Sequence, residues 1–251
     1  MNNCYDLSGK TAVVTGGSKG IGRGCVEEFG RRGAKVVFTY RREDTSVHDL
    51  RAWGDAHGVK LLGVQADAAD LGSYALLRDA VSGFSGGVLH ILVNNVGDVI
   101  RRSTFADSDD ALWVECLSLN LLSATRATRV LLPLLQRSDH AVIVNVSSMA
   151  ASTTGAGDSL HYGVSKAALE TFTVGLAREL KTIRVVGVAP SAIDTDFQRR
   201  HSTPERLNKI LGQVPLGRIG TVQEVVEVVA FLVSDRAAYV SGAVVKISGG
   251  R

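Results

Sequence analysis

The stretch Thr11-Ala12-Val13-Val14-Thr15-Gly16-Gly17-Ser18-Lys19-Gly20-Ile21-Gly22 joins a short apolar run to a glycine-rich loop, and a helix-length amphipathic segment follows it through Arg32. The run is almost entirely apolar, as a strand covered on both faces is. Gly16, Gly20 and Gly22 carry no Cβ, which permits a tight turn, close packing and backbone N–H groups that face outward at the helix start. Strand, glycine loop and helix in that order cradle a pyrophosphate, with Ser18, Lys19 and Ile21 in the same loop. The spacing Gly-x-x-x-Gly-x-Gly differs from the Gly-x-Gly-x-x-Gly of other dinucleotide folds, and it lacks the Gly-Lys-Ser/Thr ending of a nucleotide-triphosphate loop.

The same alternation recurs along the chain. Apolar, β-branched runs stand at Thr11 to Thr15, Lys35 to Tyr40, Lys60 to Gln65, Val88 to Val93, Ala141 to Val146, Ile183 to Val188 and Ala243 to Ile247. Helix-length segments of mixed polarity separate them, for example Asp107 to Arg137 and Leu160 to Lys181. Seven strands alternating with helices predict an α/β chain with a mostly parallel, doubly wound sheet. No repeat, low-complexity tract or Pro/Ser-rich linker marks a boundary, so residues 1–251 are expected to form a single domain. In such a sheet a ligand binds beyond the carboxyl ends of the strands, where strand order reverses. The residues just after each run are therefore candidates: Tyr40-Arg41-Arg42, Ala66-Asp67, Asn94-Asn95-Val96-Gly97, Ser147-Ser148 and Pro190-Ser191.

The choice of dinucleotide is made at the end of the second strand, where an acid bonds the adenosine ribose hydroxyl and an arginine accepts a 2′-phosphate. The chain reads Phe38-Thr39-Tyr40-Arg41-Arg42-Glu43, with no acid at the strand end and Glu43 only past the turn. Lys19 adds charge from the other side, so NADP(H) is expected over NAD(H). The bland alternative is that Arg41 and Arg42 are solvated surface.

Tyr162 and Lys166 are four residues apart in a predicted helix and share a face. A free phenol titrates near ~10, too high for work at neutral pH. A fixed ammonium stabilises phenolate, so Lys166 is expected to make Tyr162 a usable acid for a carbonyl oxygen that receives a hydride. Alone, such a pair is more often an amphipathic surface. Ser147 and Ser148 end the preceding strand, and one of them is expected to hold the substrate oxygen against the phenol. Asn120 lies in the apolar Leu117-Ser118-Leu119-Asn120-Leu121-Leu122, a poor place for an amide without partners, and is expected to hold a water that links Lys166 to solvent.

Taken in order, Thr15-Gly-x-x-x-Gly-x-Gly22, Asn94-Asn95-Val96-Gly97, Asn120, Ser148, Tyr162-x-x-x-Lys166 and the tail from Pro215 through Gly220, Phe231 to Asp235, Ser241-Gly242 and Gly249-Gly250 resemble the short-chain dehydrogenase/reductase superfamily. The match spans nearly the whole chain and is closest to 3-oxoacyl-(acyl carrier protein) reductases and related ketone reductases. The resemblance implies a Rossmann-type fold of seven strands, Tyr162 as acid/base, Lys166 on the nicotinamide ribose, Ser148 as oxygen clamp and Asn120 as proton-relay residue. It further implies Asp67 and Ala68 flanking adenine, Asn94 lining the adenosine side, Gly97 within the cofactor motif, and Ile193 and Thr195 at the nicotinamide carboxamide. Homotetramers built through two long helices and the last strand are the usual assembly. Departures stand at Ser191, where glycine is usual, at His90 and at Val96; the loop between Leu180 and Ile183 is shorter than usual.

Composition fits this reading. With 45% hydrophobic residues and 21% charged, the chain is neither disordered nor fibrous. Its 28 basic and 25 acidic residues give +3, scattered and not gathered in a stripe, so nucleic acid is not the expected partner. Cys4, Cys25 and Cys116 are odd in number and widely spaced, which forms neither a disulfide framework nor a metal site and points to a cytoplasmic protein. No apolar run approaches the ~18 residues of a membrane span. Substrate preference is expected in Asp98 to Ala106, Met149 to His161 and Ser191 to Gln213, the last a lid with Arg199, Arg200, His201 and Arg206. The expected activity is NADPH-dependent reduction of a small-molecule ketone, such as a 3-oxoacyl thioester or secondary-metabolite intermediate. The alternatives are oxidation of an alcohol, sugar or steroid with NADP, or a non-catalytic NADP(H) sensor.

Overall fold

In the computed structural model, which describes residues 5–251, the apolar runs form strands and the segments between them form helices. The first half runs β1 (Thr11–Val14), α1 (Gly20–Arg31), β2 (Lys35–Tyr40), α2 (Thr45–Ala56), β3 (Leu61–Gln65), α3 (Gly72–Ser85) and β4 (Ile91–Asn94). The chain continues through α4 (Asp110–Leu117), a π-turn at Ser118–Leu122, α5 (Ser123–Leu135), β5 (Val142–Val146) and α6 (Ala150–Thr153). It ends with α7 (Leu160–Glu179), β6 (Arg184–Pro190), α8 (Asp196–His201), α9 (Pro204–Leu211), α10 (Val222–Val233) and β7 (Val244–Ile247).

The strands lie in the order β3-β2-β1-β4-β5-β6-β7, and every pair is parallel. Side chains alternate across the sheet, so Ala12 and Val14 of β1 join one core and Val13 the other. Likewise Ile91 and Val93 face α1 and α10, whereas Leu92 packs with Leu131, Leu135 and Val81 of α5 and α3. The inner strands β1, β4 and β5 are buried on both faces, whereas the edge strands β3 and β7 are only partly buried, and the inner strands accordingly show little polar alternation.

The predicted long helix over 107–137 is corrected: it starts at Asp110, capped by Asp109, whose carboxylate accepts from Leu112 N at 2.8 Å, and it is interrupted by the π-turn. One inserted residue there rotates the helix so that Asn120 points inward. Cys4 lies outside the described residues; Cys25 and Cys116 are buried free thiols, and burial pushes the Cys25 thiol up to about 12. Among the described residues no helix is long and apolar enough to cross a membrane, and no cluster of potential metal ligands occurs.

Candidate active site

Strand order reverses between β1 and β4, and the loops after them are stitched together. Thr15 Oγ1 accepts from Asn95 N at 3.0 Å and Val96 N at 3.3 Å, while Asn95 Nδ2 donates to Thr15 O at 3.0 Å and Gly16 O at 3.1 Å. Gly16 N donates to Thr39 Oγ1 at 2.9 Å, which ties the same loop to β2. Gly16 and Gly20 hold φ of +63° and +53°, conformations that a Cβ would strain. A cleft of ≈ 1420 Å³ opens from this seam.

The cleft gathers nearly all the predicted residues. Ser18, Lys19, Gly20 and Ile21 form its floor, Tyr40, Arg41, Arg42, Asp67 and Ala68 one end, and Ser148, Tyr162, Lys166, Ile193 and Thr195 the other, with Gly16 and Gly97 between. The α1 N-terminus beneath it has no side-chain cap and no acid in its first turn, so its free N–H groups and positive dipole end face the cleft. An anion such as a pyrophosphate satisfies them. The residues present therefore fit a phosphate-bearing dinucleotide laid across the loop.

Three predicted residues stand elsewhere: Asn94, Gly22 and the buried Asn120. Asn94 ends β4 with its amide buried below the cleft, donating to Thr128 Oγ1 at 3.0 Å and Asn145 Oδ1 at 2.9 Å. Its neighbour Asn95 takes the cleft wall, because successive residues of a strand point to opposite sides. Gly22 does not line the cleft either; it is a packing glycine. A Cβ there would collide with the Gly16 carbonyl oxygen and lie 2.5 Å from Asn95 Nδ2. Gly22→Ala should cost about 1–3 kcal/mol by overpacking and weaken NADPH binding about tenfold or more, because the displaced atoms belong to the loop itself. Urea unfolding and a fluorescence titration check the two effects; an unchanged midpoint and affinity would show that the loop yields freely.

At the adenosine end, Arg41 Nε lies 3.4 Å from Asp67 Oδ2, and Arg42 is exposed beside it. Glu43 is turned away, its carboxylate 2.5 Å from Arg51 Nη1, and Tyr40 is buried with its hydroxyl accepting from Arg51 Nη2 at 3.1 Å. No acid thus stands at Tyr40, Arg41 or Arg42, and the acids on this part of the cleft wall, Asp44 and Asp67, are paired with Lys19 and Arg41. Lys19 Nζ is 2.6 Å from Asp44 Oδ2, an exposed pair of small net worth that a phosphate can replace.

At the other end, Ser148 and Tyr162 share the cleft wall, whereas Ser147 turns inward to donate to Glu170 Oε1 at 2.9 Å. Of the two serines, Ser148 is the one near the phenol. Lys166 is buried, donates to Val146 O at 2.8 Å and places Nζ 5.8 Å from the Tyr162 ring centre. Burial dominates both groups: it lifts the phenol well above its ordinary value, opposed by the Ser148 hydroxyl, and lowers the ammonium to about 8. Lys166 is expected to make the phenol a usable acid, but the dominant influence on it here is burial, which raises it together with the Asp98 charge, against the lowering by the Ser148 hydroxyl and Arg102.

Asn120 is fully buried, donating to Asp98 O at 2.8 Å and Cys116 O at 2.9 Å and accepting from Asp98 N at 3.1 Å. A Cβ at Gly97 would sit 2.6 Å from Asn120 Oδ1 and 2.8 Å from Lys166 Nζ, so this glycine is where the two side chains meet the backbone. His161 does not line the cleft; it is buried with Nε2 3.1 Å from Val99 O and its ring edge-on to Trp113. The lid arginines are paired: Arg199 with Asp194 and Asp196, Arg200 with Asp98 at 3.2 Å, and Arg206 with Asp158. Asn95, Asp98 and Phe197 lie inside stretches that the sequence marks as candidates, but no local signal singles them out as site residues.

Comparison with known proteins agrees with this geometry. Residues 16–251 match the family model described as enoyl-(acyl carrier protein) reductase. The chain is 37% identical over 246 residues to 3-oxoacyl-[acyl-carrier-protein] reductase FabG of Pseudomonas aeruginosa, covering 97% of this chain and 98% of that one. It superposes with a TM-score of 0.93 and 30% identity on a 7α-hydroxysteroid dehydrogenase complexed with NADH and 7-oxo glycochenodeoxycholic acid, covering 100% and 97% of the two chains. A short-chain dehydrogenase from Burkholderia cenocepacia in complex with NADP superposes at 0.90 and 30% identity, covering 97% and 98%.

Proposed function

The chain belongs to the short-chain dehydrogenase/reductase family, and from that premise we propose that residues 1–251 act as one NADPH-dependent reductase unit converting a small-molecule ketone to a secondary alcohol. The observation that carries the reading is the common wall of Ser148, Tyr162 and Lys166 at one end of a cleft whose other end offers Arg41 and Arg42, with Asp44 and Asp67 there paired to Lys19 and Arg41. NADPH, when bound, supplies a hydride to the carbonyl carbon. The Tyr162 hydroxyl donates its proton to the carbonyl oxygen as the C=O π pair moves onto it, and Ser148 donates a hydrogen bond to the same oxygen. Burial raises the phenol further above its ordinary value, so Tyr162 holds the proton that a reduction donates. Lys166 places positive charge beside the ring as negative charge develops there. Asn120 is a positioning residue: its amide fixes the Asp98 backbone and the π-turn next to Lys166.

The cofactor would be held by the glycine loop and α1 N-terminus at the pyrophosphate, by Arg41 and Arg42 at the 2′-phosphate, by Asp67 and Ala68 at adenine, and by Ile193 and Thr195 at the carboxamide. Assembly as a homotetramer through the long α4–α5 segment, α7 and β7 belongs to the same reading and is supported by exposed Val114, Leu122 and Val164. So does a cytoplasmic location, consistent with free Cys25 and Cys116. Fluorescence titration with NADPH and NADH, followed by a carbonyl panel including acyl thioesters, tests the proposal. Arg41→Ala with Arg42→Ala should lower the NADPH-over-NADH preference by about 10–100-fold, given ~1.5–3 kcal/mol for a hydrogen bond to a charged group. A wild-type preference for NADH would overturn the 2′-phosphate assignment.

A further inference from the structure

Behind Tyr162 and Ser148, on the side away from the glycine loop, lies a recess of ≈ 80 Å³ that shares these two residues with the main cleft. Three guanidinium groups reach its wall, from Arg102, Arg206 and Arg251, and no acidic residue is among the described residues that line it. Their nearest counter-charge, Asp158, sits outside the wall and is shared. Arg206 Nη1 donates to its two oxygens at 2.9 and 2.8 Å, and Arg102 Nη1 donates to it at 3.0 Å and to Ser159 Oγ at 3.3 Å. Arg251 has only neutral partners, Gln213 Oε1 at 3.0 Å and Ser191 Oγ at 3.5 Å. One side-chain carboxylate against three guanidiniums leaves the side chains of this wall with an excess of positive charge. Burial, and after it the Arg206 charge, lowers the pKa of both Arg102 and Arg251.

Two donors on this wall have nothing to bond. Arg206 Nε and Ser202 Oγ are buried without a hydrogen-bond partner, although each costs free energy when left so. Both belong to the recess. The lining also holds apolar Val99, Met149, Ala192, Phe197 and Ile210, which a methylene spacer can pack against, beside polar Thr153, Ser159, Ser191 and Gln198. The space is small: with water occupying ≈ 30 Å³ in the liquid, it takes a carboxylate and little more.

Resting on the reductase reading, we propose that the substrate is an oxo-carboxylate, its ketone at Ser148 and Tyr162 and its carboxylate in this recess on Arg206 Nε, Ser202 Oγ and Arg251. A site built to bond a charged group discriminates strongly against an analogue without it, because its own buried donors then stay unpaired.

The test pairs 4-oxopentanoate and 5-oxohexanoate with their methyl esters. Wild-type protein with NADPH should favour acid over ester in kcat/KM on the order of 10²-fold, and Arg206→Gln or Ser202→Ala should shrink that ratio at least about tenfold. The second variant covers the case in which losing the Asp158 pair unfolds α9. Binding is read separately by titrating pentanoate and hexanoate into the NADPH complex and following nicotinamide fluorescence. Saturable carboxylate binding that Ser202→Ala weakens, without turnover of any ketone, supports the recess and sinks the reductase reading. Ester turnover equal to that of the acid, or no carboxylate binding, overturns the recess whatever the turnover.

Discussion

Tyr162→Phe lowers kcat for ketone reduction by on the order of 10³-fold and leaves the NADPH Kd within about threefold of wild type. The asymmetry follows from what the substitution removes. The ring stays, with its packing 6.2 Å from Phe197 and its position 5.8 Å from Lys166 Nζ, so the wall of the cleft keeps its shape. Only the hydroxyl goes, and with it the proton donor to the substrate oxygen. A positioned general acid contributes ~10²–10⁴-fold, and Ser148 keeps its hydrogen bond to the oxygen, which sets a floor under the loss. Stopped-flow reduction monitored by NADPH absorbance gives kcat, and fluorescence titration gives Kd. Parallel loss of turnover and affinity would mean that Tyr162 serves to bind the cofactor, and the assignment of an acid to it would fail.

How far such a site is legible in a sequence depends on the range of the interactions that make it. The inner strands announced themselves because both faces are buried: Lys35 to Tyr40 was bounded correctly, and the other runs differ from their strands by three residues or fewer at either end. The cleft residues followed from one geometric rule, that loops after parallel strands meet at the reversal of strand order. Where the expectation slipped, the cause was orientation. Asn94 and Asn95 are adjacent and chemically identical, yet strand alternation buries one amide among Thr128 and Asn145 and turns the other to the glycine loop. The π-turn at Ser118–Leu122 leaves no local mark, since the helical pattern continues across it. Ile100, a β-branched residue at φ +65° in the cleft wall, is equally silent in sequence. The cluster of Arg102, Asp158 and Arg206 joins residues 56 and 48 positions apart, and read one by one these side chains look like ordinary solvated loop charges.

Lys166→Met separates stability from function at a single position. The Lys166 ammonium is buried, and its pKa falls from 10.5 to about 8 because water no longer solvates the charge. A lysine lowered in the fold opposes folding wherever the native state must carry that charge. The penalty is full below pH about 8, shrinks as pH rises from there to the ordinary value of 10.5, and is gone above it. At ~1.36 kcal/mol per pKa unit the displacement corresponds to roughly 3 kcal/mol. Methionine fills similar volume without charge, and it forfeits one hydrogen bond, to Val146 O at 2.8 Å, worth ~0.5–1.5 kcal/mol net. The variant should therefore unfold later than wild type at pH 7 by about 1–3 kcal/mol, with the gain fading as pH approaches 10.5. Activity moves the other way. Without positive charge beside the Tyr162 ring, kcat/KM should fall by ~10²-fold or more. The wild-type decline in rate as pH rises through about 8, where Lys166 loses its proton, should be missing from the residual activity. Denaturant midpoints at pH 7 and 10, set beside pH–rate profiles of both proteins, check the two halves independently. A less stable variant at pH 7, or one that keeps the limb near pH 8, would show that the buried ammonium is neither the cost to folding nor the charge the reaction uses.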